Sequence, residues 1–326
     1  MTASASDSAF RALFEPHRRP ITRHCYRMLG SLQDAEELVQ ETWLRAWQRK
    51  DEATSTSTRA WLYKIATNAC LDHLRKARRR RALPHQVAPA ANPALRIGAA
   101  TDERLWLEPA PDTLLDVADD AERQPDARAA QRQSIGLAFL TTLQLLSPKQ
   151  RAALLLVDVL GMKPDETAAL LEVSVFSVNS LLQRARKSVA ERRDVGADGE
   201  VSSSEAAVVR RFIAAWESGD AEAFSAVLVD DARFNMPPQP EWFLGREAIS
   251  QFFAAIWAAQ PGERRLLPIG ANGAPAVAVY RRAPTPGAHF EPAGITVLAI
   301  RGEHVSELTR FGSLKLFPLF GLPARL

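Results

Sequence analysis

Cysteine is almost missing from this chain of 326 residues: Cys25 and Cys70 are the only two, and both fall inside apolar stretches of helical spacing. That excludes a disulfide framework and a cysteine-rich zinc site, and leaves two buried thiols as the expectation. No run approaches the roughly 18 consecutive apolar residues of a membrane span. The opening Met-Thr-Ala-Ser-Ala-Ser-Asp-Ser also lacks the basic and apolar regions of a secretory leader. A cytoplasmic protein without membrane contact is therefore expected. Excess charge of one sign is lacking only in the sum. The net charge of +3 divides into +7 for residues 1–81, −4 for 82–134, +3 for 135–193 and −3 for 194–326. Cations thus gather where a polyanion could be met, and acids elsewhere.

With 46% hydrophobic residues, the chain is long enough for two or three small domains. From Phe10 to Arg81 apolar residues recur at helical spacing, broken at Gly30-Ser31 and over Lys50–Thr58, which predicts three or four helices. One covers Asp34–Arg49; another, Ser57–Arg80, starts on a Ser/Thr cap and ends in a cationic cluster suited to the negative end of its dipole. Residues 82–134 hold six prolines and the acidic run Asp112–Glu122, and read as a linker with local structure at Leu105–Pro109. A tryptophan between two leucines in a polar tether usually docks, with a disordered spacer as the alternative. Helical periodicity returns over 135–193, with Ser147-Pro148 as cap and first helical residue and Gly161 as a stop. Asp194–Gly199 and Ser202–Ser204 form a second boundary.

Beyond that boundary helices are expected at Glu205–Ser218, Ala221–Leu228 and Arg246–Ala259, and strands at Ala276–Arg281, Gly294–Arg301 and His304–Gly312. Helices first and strands after imply an α+β domain over 205–326.

The stretch Pro164–Lys187 carries a helix-turn-helix pattern. Asp165–Leu171 is the supporting helix, Glu172–Ser174 the turn and Val175–Arg186 the recognition helix for a major groove, held together by Ala168, Leu171, Val173, Val178 and Leu182. Ser177, Asn179, Ser180, Gln183 and Arg184 then face outward, where amide and guanidinium groups read base edges. Arg186, Lys187 and Lys163 suit phosphates, which orient without specifying. In the first block Trp61, Tyr63, Asn68, Asp72, His73, Arg75 and Lys76 share one helix, followed by Arg78–Arg81. Aromatic faces stacking on unpaired bases beside backbone-tracking cations suit single-stranded DNA. Trp61 and Tyr63 have a second reading as core.

Asp34-Ala-Glu-Glu-Leu-Val-Gln-Glu-Thr-Trp-Leu-Arg-Ala-Trp47 with Arg59–Arg75 resembles region 2 of bacterial extracytoplasmic-function sigma factors, and Leu146–Arg151 through Gln183–Lys187 resembles their region 4. The resemblance implies core RNA polymerase and promoter DNA as partners. By similarity, Asp34, Glu37, Gln40, Glu41, Trp43, Arg45 and Trp47 would meet the polymerase clamp. The loop Lys50–Thr58 and the next helix would open the minus-10 element and capture a flipped base, using Trp61, Lys64, Asn68, Asp72, His73, Arg75, Lys76, Arg78, Arg79 and Arg80. The minus-35 element would be read by Ser177, Asn179, Ser180, Gln183, Arg184, Arg186 and Lys187, and the acidic linker would thread the polymerase RNA channel. Two departures stand out. Val175-Phe176 and Leu181-Leu182 stand where many members carry a basic residue, which implies a weaker phosphate grip. The linker is also long, with Trp106, Leu107 and Pro109 resembling an interdomain element of sigma factors that carry an extra domain.

That extra domain, through Phe212–Asp220, Leu228–Pro238, Trp242 and Gly245–Ile249, resembles the SnoaL-like fold, a cone of curved sheet wrapped by helices. Enzymes of this fold use pocket carboxylates, histidines and tyrosines, for which Asp230, Asp231, His289 and Arg310 are candidates here. No acid and base can be placed in one pocket from spacing, so no catalytic residue, cofactor or metal is expected. Such a domain either contacts the sigma core and controls its access to polymerase, or binds a small-molecule ligand. The apolar tail Phe311–Leu322 needs a cover, for which Trp106 or the helical blocks are candidates. The expected architecture is multidomain: an all-α region 2 bundle over 8–81, an acidic linker over 82–134, an all-α region 4 helix-turn-helix over 135–193 and the α+β cone over 205–326. The function expected is that of a sigma factor, not an enzyme by itself, whose activity the C-terminal domain modulates. An enzyme fused to a DNA-binding module and a helix-turn-helix repressor are the alternatives; the repressor leaves Asp34–Trp47 unexplained. Whether an anti-sigma protein partners the chain is open at this level.

Overall fold

The computed structural model describes residues 5–49, 57–77, 81–92, 98, 101, 106–115, 136–191, 203–285 and 287–326. It divides into two compact units, Met1–Arg81 with Leu137–Asp194, and Ala82–Gly136 with Val195–Leu326.

The first unit is all helix. Helix α1 spans Ala5–Leu29, α2 Leu32–Gln48 and α3 Thr58–Ala77. Gly30 at φ 71° ends the first and Ser31 caps the second by accepting from the Asp34 amide. Their shared core is apolar and sealed: Phe14, Ile21, Met28, Leu32 and Leu62 are buried. Cys25 and Cys70 are buried free thiols in this core, as the sequence suggests; burial first, then contact with Cys25, pushes the Cys70 thiol well above its usual pKa. Helix α4 (Leu137–Leu145), α5 (Pro148–Leu154, continuing as a wider turn to Val159), α6 (Pro164–Leu171) and α7 (Val175–Ala190) complete the unit. The Ser147/Gln150 capping box with Pro148 at the first position starts α5 where the sequence places it.

Arg151 on α5 is the largest fully buried side chain. Its guanidinium donates to the carbonyl of Met28 at the end of α1, to Gln144 Oε1 at 2.6 Å, to Gln144 O at 3.1 Å and to Leu146 O at 3.3 Å. The two helical blocks are thereby fastened through one charged group whose desolvation is offset by charge-assisted bonds.

The second unit is an α+β domain. Helices α8 (Ser203–Ser218), α9 (Ala221–Ala226) and α10 (Arg246–Ala259) pack on a six-stranded sheet. The strands are β1 (Leu228–Asn235), β2 (Trp242–Leu244), β3 (Glu263–Ala271), β4 (Ala274–Arg282), β5 (Glu291–Arg301) and β6 (His304–Phe311), in the order β2-β1-β6-β5-β4-β3. All pairings are antiparallel except β1 with β6. An aromatic cluster of Phe212, Trp216, Phe224, Phe234, Phe253 and Trp257 fills the space between helices and sheet. The apolar tail finds its cover within this unit. Phe317 on α11 (Leu316–Leu319) meets the Tyr280 ring at 5.3 Å, Tyr280 donates to Pro323 O at 2.8 Å, and Phe290 and Leu326 exchange backbone bonds.

The described residues between 82 and 115 depart from a free linker. Ala82 bridges Trp106, and Trp106, Leu107 and Pro109, expected at an interdomain contact, are buried inside the C-terminal unit. Asn235 Oδ1 accepts from the His85 amide at 3.1 Å, Trp242 Nε1 donates to Ala88 O at 2.7 Å, and Thr101 binds Pro238 O. At the far edge Pro111 bridges Ala271, and the β3–β4 turn Asn272-Gly273 grips the chain. Asn272 Oδ1 accepts from Ala110 N at 2.9 Å, and Asp112 accepts from Gly273 N at 2.7 Å. A Cβ on Gly270 would lie 2.2 Å from the Asp112 carboxylate, so the approach requires glycine. Polar prolyl sequence thus adheres because its backbone groups find partners on a sheet edge. We expect Asn272→Ala, which strips a buried acceptor and places alanine at φ 56°, to cost about 2 kcal/mol. Hydrogen exchange should accelerate at the amides of 106–112 while the β5–β6 amides stay protected. Unchanged exchange at 106–112 would refute the anchoring role.

Candidate nucleic-acid and polymerase interfaces

The supporting and recognition helices form as the sequence pattern predicts. Glu172 takes the left-handed conformation at φ 54° to close α6, and Ser174 Oγ accepts from Ser177 N at 3.1 Å to start α7. Val178, Leu182 and Ala185 are buried, and with α6 residues Ala168 and Leu171 they hold the pair. Asn179, Gln183 and Arg184 are exposed on the opposite side; Ser177 and Ser180 are half-buried and occupied, one by the cap and the other by Arg184 at 2.8 Å. Arg186 is not a free phosphate contact: Asp158 clamps it with bonds of 2.7 and 3.0 Å, and that hydrogen bonding raises its pKa. Lys187 lies 3.9 Å from Glu191. Phe176 stands 83% exposed at the start of α7. Expected only as the absence of a cation, this position instead presents an apolar ring, a side-chain type able to meet a thymine methyl.

On α3 the expected minus-10 residues fall into three sets. Trp61 and Tyr63 are buried, so their aromatic surface belongs to the core and not to stacking bases. Leu62, Ile65, Ala66, Thr67, Ala69 and Cys70 are buried with them, so α3 is enclosed on most of its circumference and periodicity alone does not separate its core aromatics. Lys64 pairs with Glu172 of the helix-turn-helix at 3.1 Å, and Arg59 donates to Leu160 O at 3.0 Å. Asp72 holds Arg75 at 3.0 Å, and His73 lies 3.4 Å from Asp34. Arg75 and Lys76 are exposed and Asn68 is half-buried. Arg78, Arg79 and Arg80, and the loop over 50–56, lie outside the described residues.

Helix α2 also sorts its candidates. Trp43 and Trp47 pack edge-on against Phe10 and Phe14 of α1, with Trp43 and Phe14 ring centres 3.9 Å apart, so both indoles are largely structural. Asp34 is held by Arg81 at 2.6 Å and by His73. Burial pushes its pKa up, but the His73 hydrogen bond and the Arg81 guanidinium outweigh that and keep it below the ordinary value. Arg45 bonds Glu41 at 2.5 Å. What remains outward is Glu37, Gln40 and Leu44, one ridge at helical spacing with Glu36 beside it. Leu44, 62% exposed, is absent from the expected set and is the apolar side chain on that ridge.

The four candidate catalytic residues of the C-terminal unit do not converge. Asp230 pairs with Arg246 and Asp231 with Arg301 on the exposed side of β1; the Arg301 hydrogen bond lowers the pKa of Asp231. His289 and Arg310 instead line a separate cavity. Among the described residues no cluster of three metal-ligating side chains occurs, and no helix is long and apolar enough to cross a membrane.

Comparison with known proteins matches residues 13–80 to Sigma-70 region 2, 136–189 to Sigma-70 region 4 and 209–308 to the SnoaL-like domain. The chain is 43% identical over 322 residues to the ECF RNA polymerase sigma factor SigG of Mycobacterium tuberculosis, covering 96% of this chain and 84% of that protein. It is 31% identical over 222 residues to SigJ of the same organism, covering 68% of this chain and 62% of that protein. A crystal structure of the SigJ sigma factor superposes with a TM-score of 0.60 at 24% identity, covering 97% of this chain and 99% of that one, which shows a common fold.

Proposed function

We infer that this protein, which belongs to the extracytoplasmic-function RNA polymerase sigma factors, binds core polymerase through the Glu37–Leu44 ridge and reads promoters with α3 and α7. Contacts between regions 2 and 4 hold those helices together until polymerase is met, and the C-terminal domain modulates the activity. The observation that carries the reading is the outward set Asn179, Gln183 and Arg184 on a capped recognition helix behind a complete region 2. The restraint rests on a second observation. The minus-10 helix α3 is pinned to the helix-turn-helix by Lys64–Glu172, by Arg59 on Leu160 O and, through α1, by Arg151. Elements 25 base pairs apart lie about 85 Å apart on a duplex rising 3.4 Å per base pair, so α3 and α7 must part to engage both. The domain acts by binding, without turnover, and the place of action is the cytoplasm, beside the polymerase.

In vitro transcription on a genomic-fragment library with purified bacterial core polymerase tests this. Start sites that need the protein and share two upstream elements are expected. Gln183→Ala should relax base preference within the upstream element, at about 1–3 kcal/mol of discrimination for the position it reads. Joining Lys64→Cys to Glu172→Cys by a short bismaleimide should abolish those start sites, while the uncrosslinked double variant keeps them. Absence of protein-dependent start sites by a folded protein would overturn the promoter assignment, and full activity of the crosslinked form would overturn the restraint.

A further inference from the structure

The cavity of about 660 Å³ between α8, α10 and the concave face of the sheet is lined by two kinds of groups that rarely meet without a ligand. Its floor is apolar: Trp216, Phe253 and Trp257, packed on one another at ring distances of 4.7 to 6.2 Å. Its wall is cationic, with Arg264, Arg281 and Arg310 converging from β3, β4 and β6. Arg310 is the innermost. It donates to Ala293 O at 2.7 Å, while its Nε is buried with no hydrogen-bond partner. Arg281 reaches only the neutral Gln260 side chain, at 2.7 Å, and Arg264 reaches Gln260 O and lies over Trp257 at 5.4 Å. Among the described residues none of the three has a carboxylate within ion-pair distance, although Glu291 stands exposed at the mouth beside His289. Burial, and then the charge of Arg281, lower the pKa of Arg310 to about 10, so it stays charged at neutral pH.

A recessed guanidinium with a free N–H and a like-charged neighbour is costly in a domain with no internal counter-ion at that place. An oxyanion entering from the mouth would neutralise the Arg281–Arg310 repulsion and accept bonds from the terminal guanidinium N–H groups. The tryptophan and phenylalanine floor would bury an apolar body attached to it, and the volume lies within the range of small-molecule sites.

We propose that this cavity is a binding site for an organic anion with an apolar, ring-sized body, its carboxylate or phosphate seated on Arg310 and Arg281 and its body on Trp216, Phe253 and Trp257. The proposal goes beyond the promoter-binding reading and does not depend on it, since the test requires no polymerase.

The full-length protein is titrated with 2-naphthoate, 2-naphthyl phosphate, octanoate and the neutral 2-naphthamide, following tryptophan fluorescence and calorimetry. Saturable binding of at least one anion is expected, about tenfold or more tighter than the amide, a tenfold step being 1.4 kcal/mol. A tighter carboxylate or a tighter phosphate decides between the two headgroups. Arg310→Gln and, at the exposed rim, Arg281→Gln should each lower affinity about tenfold, while Arg265→Gln, which stacks on Phe290 outside the cavity, leaves it unchanged. Circular dichroism verifies folding, and Arg281→Gln decides the matter if Arg310→Gln unfolds. No saturable binding of any anion at millimolar concentration overturns the proposal. So does equal affinity for naphthoate and naphthamide, or full affinity in both folded arginine variants.

Discussion

Replacing Arg151 with methionine should destabilise the helical unit by about 3–5 kcal/mol, because truncating one member of a buried, charge-assisted network leaves its partners desolvated and unmatched. Methionine comes close in volume, so the loss is polar and not a cavity. The carbonyls of Met28, Gln144 and Leu146 and the Gln144 side chain would lose a shared donor in a site that water does not reach. Arg151→Lys keeps the charge but not the planar fork, and should fall between. Urea unfolding followed at a region 2 tryptophan measures the difference. A methionine variant within about 1 kcal/mol of the natural protein, well below the range for such networks, would mean that the guanidinium does not fasten the two blocks. The effect should reach both blocks, since the bond to Met28 lies in one and those to Gln144 and Leu146 in the other.

Acid should loosen the same unit well before its carboxylates titrate. His24 is buried against Thr67, at 2.9 Å, with the Tyr63 ring beside it. Burial, reinforced by the charge of Arg27, lowers its pKa from 6.5 to about 3. The folded state therefore binds fewer protons than the unfolded one between those two values, and stability is present in full above pH 6.5 and declines as pH falls toward 3. At pH 5 the deficit from this one side chain is about 2 kcal/mol, at 1.36 kcal/mol per unit. Asp34, held below its ordinary 3.8, adds a further loss only at the acid end of the range. Urea midpoints at pH 7.5, 6 and 5 should converge for His24→Gln and fan out for the natural protein. Parallel behaviour of the two proteins would show that His24 is not the group responsible.

Much of the helical half is legible in the sequence because its signals are local. Ser147-Pro148, Gly161 and the spacing of Val178, Leu182 and Ala185 place the starts of α5 to α7 to within a residue or two, while α7 runs four residues past its expected end at Arg186. What the sequence conceals is which polar groups are already taken. Lys64, Arg186 and His73 look available on a helical wheel, yet their partners Glu172, Asp158 and Asp34 lie 28 to 108 positions away in the chain. The strands β1 and β3 escape for another reason. Asp230, Asp231 and Arg233 break the alternation of β1, and Pro268 with three charged residues breaks that of β3, because exposed strand faces tolerate any polar residue. One clue to β3 was present in Asn272-Gly273, the dipeptide that favours a two-residue hairpin turn. The cavity is the least legible feature, since Arg264, Arg281 and Arg310 become neighbours only through the β3, β4 and β6 positions in the sheet.

The adhesion of residues 82–92 and 106–112 to the C-terminal sheet changes which stretches of chain make up the C-terminal unit. Arg81 is tied to Asp34 in the first unit, and Ala82 is paired with Trp106 in the second, so the chain passes from one unit to the other between these two residues. Region 4 is an insertion in sequence, since 82–136 and 195–326 form one unit and 137–194 belong to the other. A chain cut after Arg193 would therefore keep residues 106–112 but lose the Asn272-Gly273 turn that pairs their backbone groups.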